Sequence, residues 1–289
     1  MNVKDNLMVS ICCITYNHKP FIAQTINSFL MQKTNFKFEI VIGDDCSTDG
    51  TTAIIKEIQS MHPGRINLLH APKNMGAHEN MRNVLRHCNG KYIALCDGDD
   101  FWTKPEKLQK QIDFLEDNLE YVICCHYTKV IDTSFKTLYV HPSPKPLVHT
   151  FHDLLIGKQV ETKTASVVYR NLPATNQIFQ KPWYDEVFAV DKLLKLTATY
   201  YTGGKIYVMP EVMSCYRNHI GGIWSMVKAE ARMEMVINDF NLIIRHFNYR
   251  GIDKIRLLLL YLKRDALFEL KRKRFKKVFK TVAYLGSFS

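Results

Sequence analysis

The chain has 289 residues, with 46% hydrophobic and 23% charged residues and a formal net charge of +11. This composition excludes a disordered chain, and the length suits one α/β domain with an extension. The first residues are polar and no apolar run approaches the roughly 20 residues that span a bilayer, so we expect neither a signal peptide nor a membrane span. The eight cysteines lack metal-finger spacing and a disulfide framework, which predicts free thiols in a reducing cytosol.

Two strands are predicted near the start of the chain. The first runs from Met8 to Ile14 into Thr15-Tyr16-Asn17-His18, and a helix begins near Pro20. The second runs from Phe38 to Gly43 and leads into Asp44, Asp45 and another helical segment. Each strand therefore delivers polar side chains at its carboxyl end.

A third predicted strand starts at Tyr92 and ends in the most informative stretch, Asp97-Gly98-Asp99-Asp100. Three carboxylates at one strand end repel each other, and a divalent cation bound by oxygen ligands removes that cost. Mg²⁺ or Mn²⁺ held in this way usually also holds the phosphates of a substrate. The alternative is a solvated acidic turn.

Strands that alternate with helices indicate an α/β fold with a mostly parallel sheet and flanking helices. Ligands of such sheets bind outside the carboxyl ends of the strands. Tyr16, Asp45 and residues 97–100 are therefore predicted to line one crevice.

Four motifs together carry a specific resemblance. They are Thr15-Tyr16-Asn17, the stretch from Gly43 to Thr51, Asn74-Met75-Gly76, and the stretch from Asp97 to Trp102. In order and spacing the first half of the chain resembles the family 2 glycosyltransferases. The resemblance implies the A-type glycosyltransferase fold, which has a Rossmann-like sheet, and a divalent metal, Mn²⁺ or Mg²⁺. It also implies inverting transfer of a sugar from a nucleotide diphosphate, usually UDP, to an acceptor hydroxyl.

The same resemblance implies roles for individual residues. Tyr16 would pack against the nucleobase and Asp45 would hydrogen-bond it. Asp97 and Asp99 would form the Asp-x-Asp signature, and Asp99 is the one expected to bind the metal directly. The role of Asp100 is left open. The residues expected to bind the nucleotide are Thr15, Tyr16, Asn17, Asp45, Asn74, Asp97 and Arg217.

In the second half, the segment from Pro182 to Leu194 resembles the family segment in which an acid opens a helix. By this resemblance Asp191 is the general base, with Asp185 and Glu186 as competitors. The alternative is that Asp191 only caps a helix.

The stretch from Ile206 to His219 is predicted to form one or two strands that close the sheet. It resembles the Tyr-Arg-x-His ending of the family, so Arg217 or His219 would face the diphosphate or the metal, and His219 is a predicted metal ligand. Gly221 and Gly222 would let the following loop close over the donor. The Gln-x-x-Arg-Trp signature of processive synthases is missing, so we expect addition of a single sugar.

The positive charge is concentrated at the end of the chain, where nine of the eleven net charges lie from Arg250 onward. Apolar residues recur there at helical spacing: Ile255, Leu259, Leu262, Ala266 and Leu270. A basic amphipathic helix is typical of an anionic membrane surface, although the helix could instead pack on the catalytic domain.

The predicted divisions are a nucleotide-sugar-binding half (1–125), an acceptor-binding half of the same domain (126–225) and a basic helical C-terminal extension (226–289). The predicted acceptor is a bacterial surface glycan or its lipid-linked precursor, and the predicted location is the cytoplasm, peripheral to the inner face of the membrane. The alternatives are a nucleotidyltransferase with the same acidic metal site, although no glycine-rich phosphate loop is seen, and a non-catalytic membrane or nucleic-acid adaptor. No nucleic acid is expected as a partner, because no signature of a nucleic-acid-binding fold accompanies the charge.

Overall fold

The computed structural model describes residues 7–159, 161–222, 227–247 and 251–271. The strands within these ranges are β1 (Leu7–Thr15), β2 (Lys37–Asp44), β3 (Ile66–His70), β4 (Tyr92–Leu95), β5 (Phe101–Trp102), β6 (Tyr121–Ile131), β7 (Thr137–Tyr139), β8 (Leu147–His149), β9 (Val168–Arg170) and β10 (Lys205–Arg217). The helices are α1 (Ile22–Leu30), α2 (Thr51–Met61), α3 (Ala77–Arg86), α4 (Lys107–Asp117), α5 (Phe151–Leu155), α6 (Val190–Thr202), α7 (Ala229–His246) and α8 (Ile252–Lys271). The three strands predicted in the first half are present as β1, β2 and β4.

One sheet runs through the molecule in the order β3-β2-β1-β4-β9-β6-β10-β5. Strands β3, β2, β1 and β4 pair in parallel, and so do β6 and β10. Because β9 is antiparallel to both β4 and β6, the two parallel groups run in the same direction. The predicted α/β fold with a mostly parallel sheet is therefore confirmed.

The sheet is buried on both faces, and successive residues of its strands point to opposite sides. In β1, Val9, Ile11 and Cys13 pack with α1, α2 and α4, whereas Cys12 packs with α3, α6 and α7. The near-continuous apolar sequence of β1 follows from this double burial. The eight cysteines are free, as predicted, and seven of them are buried.

The carboxyl ends of the parallel strands lie at one edge of the sheet. The loops that follow β1, β2 and β4 therefore emerge beside one another, and so does the end of β10. The tight loop after β4 is held from α1, where the Thr25 hydroxyl donates to the carbonyls of Gly98 (3.0 Å) and Asp100 (2.6 Å).

The first helix of the predicted extension belongs to the core of the domain. Phe240, Ile243 and Phe247 on or next to α7 are buried in the cluster that covers one face of the sheet. In α8, Leu257 joins the same cluster, but an outer face remains exposed. That face carries Ile252, Ile255, Leu259, Leu267 and Leu270.

From Arg250 onward the chain has twelve Lys and Arg residues. Seven of them, Arg250 and the six after Lys271, lie outside the described residues. Within the part of the chain that the structure describes, no helix combines the length and the apolar character needed to cross a membrane.

Candidate functional site

The loop after β1 is fastened to the loop after β2 by backbone–side-chain hydrogen bonds. The Asn17 N–H donates to Ser47 Oγ (2.9 Å), and the Thr48 N–H donates back to Asn17 Oδ1 (2.9 Å). The Lys19 N–H donates to Asp49 Oδ2 (2.9 Å). The two loops therefore form one surface at the strand edge.

Asp45 ties a third segment to this surface. Its buried carboxylate accepts the N–H of Met75 (2.7 Å) and the N–H of Gly76 (2.9 Å), one on each oxygen. The Asn74 side chain also accepts the Gly76 N–H (3.1 Å). Because each carboxylate oxygen has two lone pairs, Asp45 can still accept a hydrogen bond from a ligand.

Tyr16 is an exposed aromatic residue that directly follows Thr15, whose carbonyl accepts the Asp45 N–H at 3.0 Å. Its side chain is 43% accessible, whereas its neighbour Thr15 is buried. An exposed ring next to a buried acceptor suits a nucleobase, which offers a flat face for stacking and an N–H for the acceptor.

The acidic loop after β4 packs tightly against the end of β1. A Cβ added to Gly98 would come within 2.6 Å of Thr15 Cβ and 2.5 Å of Thr15 Oγ1. Distances this short do not occur between such atoms in proteins, so only glycine fits here.

Asp99 is the centre of the acidic site. Its Oδ2 lies 2.9 Å from Nε2 of His219 and 3.8 Å from Nε2 of His18. Its carboxylate also groups with those of Asp97 and Asp100, and the ligand atoms of each set of three lie within 4.8 Å of one another.

The carboxylates at this site lack full charge compensation. Burial, followed by the charges of Asp99 and Asp191, raises the pKa of Asp97 to about 8. Burial and the same kind of repulsion raise the pKa of Asp100 well above its usual value. For Asp99, burial favours the protonated form, but the His219 hydrogen bond and the charge of His18 outweigh it and lower the pKa.

A divalent cation fits this donor set. Carboxylate oxygens suit Mg²⁺ and Mn²⁺, and a cation would supply the positive charge whose lack raises the pKa of Asp97. Two overlapping sets of side chains could hold it: His18, Asp99 and His219, and Asp97, Asp99 and Asp100. Together they contain the three predicted ligands, Asp97, Asp99 and His219.

The Arg217 side chain is occupied by partners within the protein. Its Nε donates to the Asp99 carbonyl (2.9 Å) and its Nη2 to Gln24 Oε1 (2.8 Å). The guanidinium packs against three aromatic rings and is buried. The Arg217 N–H also donates to Asp100 Oδ1 (2.9 Å). Arg217 and Asp100 therefore join the end of β10 to the acidic loop, which gives Asp100 a structural role.

Asp191 lies in the first turn of α6, as predicted, and its charge contributes to the raised pKa of Asp97. Its Oδ2 accepts a hydrogen bond from Lys195 Nζ at 2.9 Å. The buried Lys195 ammonium also donates to the carbonyl (2.7 Å) and the hydroxyl (2.9 Å) of Thr162. Asp191, Lys195 and Thr162 line a cavity of about 280 Å³.

The structure gives less support to a capping role for Asp191 and to Asp185 as the general base. The N-cap of α6 is Ala189, without a side-chain cap, so Asp191 does not act as the cap. Asp239 of α7 instead accepts the N–H groups of Phe188 (2.8 Å) and Ala189 (3.0 Å). The competitor Asp185 is exposed and ion-paired with Arg82 (2.9 Å).

The structure brings the predicted residues to one edge of the sheet, and it adds others. His18, Lys195 and Asp239 were not singled out from the sequence. His18 directly follows a quoted motif, and Lys195 stands four residues after Asp191, which is ion-pair spacing on a helix. Asp239 carries no local signal, because its partners lie about fifty residues away. The loop predicted to close over the donor falls largely on residues 223–226, outside the described residues.

Comparisons with known proteins agree with this geometry. The sequence profile of Glycosyl transferase family 2 matches residues 10–188. An uncharacterized protein of Mycobacterium tuberculosis is 34% identical over 230 residues, which cover 78% of this chain and 62% of that protein. An Escherichia coli relative, the UDP-Glc:alpha-D-GlcNAc-diphosphoundecaprenol beta-1,3-glucosyltransferase WfaP, is 36% identical over 137 residues, covering 47% of this chain and 52% of that protein.

Solved structures share the fold. TarS of S. aureus, in complex with UDP-GlcNAc, superposes with a TM-score of 0.66 at 18% identity and covers 89% of this chain and 72% of that chain. The mannosyltransferase PcManGT from Pyrobaculum calidifontis, in complex with GDP-Man and Mn²⁺, superposes with a TM-score of 0.63 at 16% identity and covers 98% of this chain and 86% of that chain. At such identities the likeness concerns the fold.

The profile match covers more than half of the chain, from the middle of β1 to the segment before α6, and includes the loops that carry Tyr16, Asp45 and Asp99. The chain therefore belongs to glycosyl transferase family 2.

Proposed function

We propose that this protein is a metal-dependent, inverting glycosyltransferase. It moves a sugar from a nucleotide diphosphate, with UDP-sugar as the proposed donor, to a hydroxyl of a glycan or lipid-linked acceptor. The observation that carries the proposal is the acidic cluster around Asp99 at the strand edge, with Asp191 close enough to affect the pKa of Asp97.

The donor is proposed to lie along the fastened loops. Tyr16 stacks on the base, and Asp45 accepts the base N–H with the lone pairs that Met75 and Gly76 leave open. Thr15, Asn17 and Asn74 act mainly by fixing the loops, since their side chains bond to other parts of this surface. The solved neighbours with UDP-GlcNAc and GDP-Man support a nucleotide-sugar donor.

Asp97, Asp99 and His219 are proposed to hold the metal ion, Mn²⁺ or Mg²⁺. When bound, the ion acts as a Lewis acid for the leaving diphosphate, whose negative charge grows as the glycosidic bond breaks. The neighbour with Mn²⁺ supports this role. The negative charge of Asp97 is the least compensated by the protein, so a bound cation stabilises the charged form of Asp97 most.

Asp191 is proposed to take the proton from the acceptor hydroxyl. Lys195 holds one of its oxygens and thereby fixes the orientation of the carboxylate. The cavity that Asp191 lines is open to an acceptor.

The acceptor is proposed to be a bacterial surface glycan or its lipid-linked precursor. The name of the relative WfaP specifies a diphosphoundecaprenol-linked acceptor, which supports this choice. Such an acceptor lies at a membrane, so we propose a cytoplasmic protein peripheral to the inner face.

The proposal is tested by separating donor binding from transfer. UDP binding is measured by calorimetry with and without Mn²⁺, and turnover is measured with a panel of UDP-sugars as donors and saccharide acceptors. Asp99→Asn is expected to abolish the Mn²⁺-dependent part of UDP binding and all turnover. Asp191→Asn is expected to reduce turnover at least a hundredfold while UDP affinity stays within twofold, because the base acts only in the transition state.

Asp185→Asn is the matched control, since this acid lies in the same segment but is bonded to Arg82 at the surface. It should behave as the wild type. Mn²⁺-dependent UDP binding that survives Asp99→Asn would overturn the metal assignment, and full turnover in Asp191→Asn would overturn the base.

A further inference from the structure

Two histidines, His18 and His219, lie beside the Asp99 carboxylate. His219 comes from the segment after β10 and His18 from the loop after β1, yet Nε2 of each faces the same oxygen, Oδ2 of Asp99. Their rings meet edge-on, with centroids 5.9 Å apart. Two separate segments of the chain thus direct imidazole nitrogens to one carboxylate oxygen.

The other ring nitrogen of each histidine is fixed by the protein. His219 Nδ1 lies 3.1 Å from the Ile220 carbonyl. A carbonyl oxygen can only accept, so Nδ1 carries the hydrogen. Before an ion binds, Nε2 also carries a hydrogen, which it donates to Asp99 Oδ2 at 2.9 Å. A metal ion that binds here displaces this proton and takes the lone pair of Nε2.

His18 is held in the same way, since its Nδ1 lies 3.1 Å from Thr15 Oγ1. A hydroxyl accepts as readily as it donates, so it can hold the tautomer with a lone pair on Nε2. Metal-binding histidines typically have the second nitrogen fixed by such a partner, which sets the tautomer and the ring orientation.

The distances suit an octahedral ion. Adjacent ligands at about 2.1 Å from a metal are about 3 Å apart, and opposite ligands are about 4 Å apart. The His219 nitrogen lies 2.9 Å from Asp99 Oδ2, close to the spacing of adjacent ligands, and the His18 nitrogen lies 3.8 Å from it, close to the spacing of opposite ligands.

We propose that His18 is a further metal ligand, so that the site offers two imidazoles, His18 and His219, beside the carboxylates of Asp97 and Asp99. The inference rests on the proposed metal-dependent function and specifies its cofactor. Imidazole ligands bind transition metals better than Mg²⁺, which prefers oxygen ligands and keeps its waters. The protein therefore selects Mn²⁺ over Mg²⁺.

The test uses the full chain and the metals alone, without nucleotide. Mn²⁺ binding is followed by electron paramagnetic resonance, and Mg²⁺ affinity is obtained by competition. The wild type is expected to bind Mn²⁺ at least tenfold more tightly than Mg²⁺. His18→Gln is expected to weaken Mn²⁺ binding about tenfold, a typical loss for a disturbed metal site, and to change Mg²⁺ binding less than twofold.

A spectroscopic readout identifies the ligand directly. Electron spin-echo modulation from ¹⁴N counts the imidazoles on Mn²⁺, and we expect two in the wild type and one in His18→Gln. His87→Gln is the control, because His87 is exposed at the end of α3 and bonds to the Asn83 carbonyl. It should leave both affinities and the nitrogen count unchanged.

The outcomes separate this inference from the proposed function. Mn²⁺ binding with one coupled nitrogen, unaffected by His18→Gln, would overturn the role of His18 and leave the metal-dependent transferase in place. No Mn²⁺ binding, or binding that survives Asp99→Asn, would overturn both. A melting curve of His18→Gln shows whether this variant is folded. The variant Thr15→Val leaves His18 in place but removes its hydroxyl partner, and it should also weaken Mn²⁺ binding.

Discussion

The Lys107 side chain is an unusual buried charge. It is fully buried at the start of α4, and its Nζ lies 3.9 Å from the centre of the Trp102 ring. Among the described residues, its Nζ has no hydrogen-bond partner. Burial lowers the pKa of Lys107 to about 7, from an ordinary value of 10.5. The aromatic ring therefore offsets only part of the cost of burying the ammonium.

This shift predicts a pH-dependent stability. Between pH 7 and 10.5 the unfolded chain holds the Lys107 proton and the folded chain does not, so unfolding takes up a proton. The free energy of unfolding should therefore rise with pH through this group, by at most about 1.4 kcal/mol per pH unit. Lys107→Met should raise stability at pH 7 and remove this rise.

The measurement is urea unfolding of both proteins at pH 7.0 and about pH 8.5, taking the difference between the variant and the wild type so that other groups cancel. Lys110→Met is the control, because Lys110 lies on the same helix but is exposed and paired with Glu211. A difference between Lys107→Met and the wild type that does not change with pH would contradict the shift.

At the scale of elements, α7 supports the helix that carries the proposed base. Asp239 on α7 accepts the N–H groups of Phe188 and Ala189, directly before α6 begins. The Asn238 side chain donates to the Glu186 carbonyl (2.9 Å). The position of Asp191 therefore depends on a helix that follows it by about forty residues.

Asp239→Ala is expected to leave two buried N–H groups without acceptors and to lower the free energy of unfolding by about 1–3 kcal/mol. It should also slow turnover while UDP affinity stays unchanged, because Asp239 holds the segment before α6, whereas the nucleotide loops are held by their own bonds at Asn17 and Asp45. Urea unfolding and hydrogen exchange of residues 187–195 check the two effects. Asp113→Ala, an exposed acid on α4, should change neither; unaltered exchange in Asp239→Ala would contradict the coupling.

The sequence predicted β1, β2 and β4 and the polar residues at their ends. It could do so because the strand patterns and the motifs both consist of residues that are neighbours in the sequence. It also predicted Asp191 on a helix, through the resemblance. It did not predict the partners of these residues. Asp45 meets Met75 and Lys195 meets Thr162 only after the sheet is assembled. Strand β9 is only three residues long and offers no periodicity to recognise.

At the scale of the whole molecule, α8 has two different sides. Leu257 is buried in the core, so packing on the domain, one of the two alternatives from the sequence, holds for this side. The other side exposes Ile252, Ile255 and Leu259, with the exposed Arg256 and Lys263 beside them. An exposed apolar strip flanked by basic residues suits an anionic lipid surface.

The double variant Ile255→Glu, Leu259→Glu is expected to bind phosphatidylglycerol liposomes with at least tenfold lower affinity. Its UDP affinity and melting temperature should stay unchanged. Binding of the wild type should weaken with salt, since the Debye length is about 10 Å at 0.1 M and shorter above it. Sedimentation with liposomes measures both. The control is Leu119→Glu, which changes a still more exposed leucine far away in the sequence. Wild-type binding by the double variant would exclude this surface.

The fastening of the two nucleotide loops has a consequence for attempts to change the donor. Asn17, Ser47 and Thr48 hold one another, and Asp45 holds the segment at Met75 and Gly76. Exchanging one loop for that of a relative would break bonds whose partners stay behind. A chimera that binds another nucleotide therefore needs all three segments from the same relative.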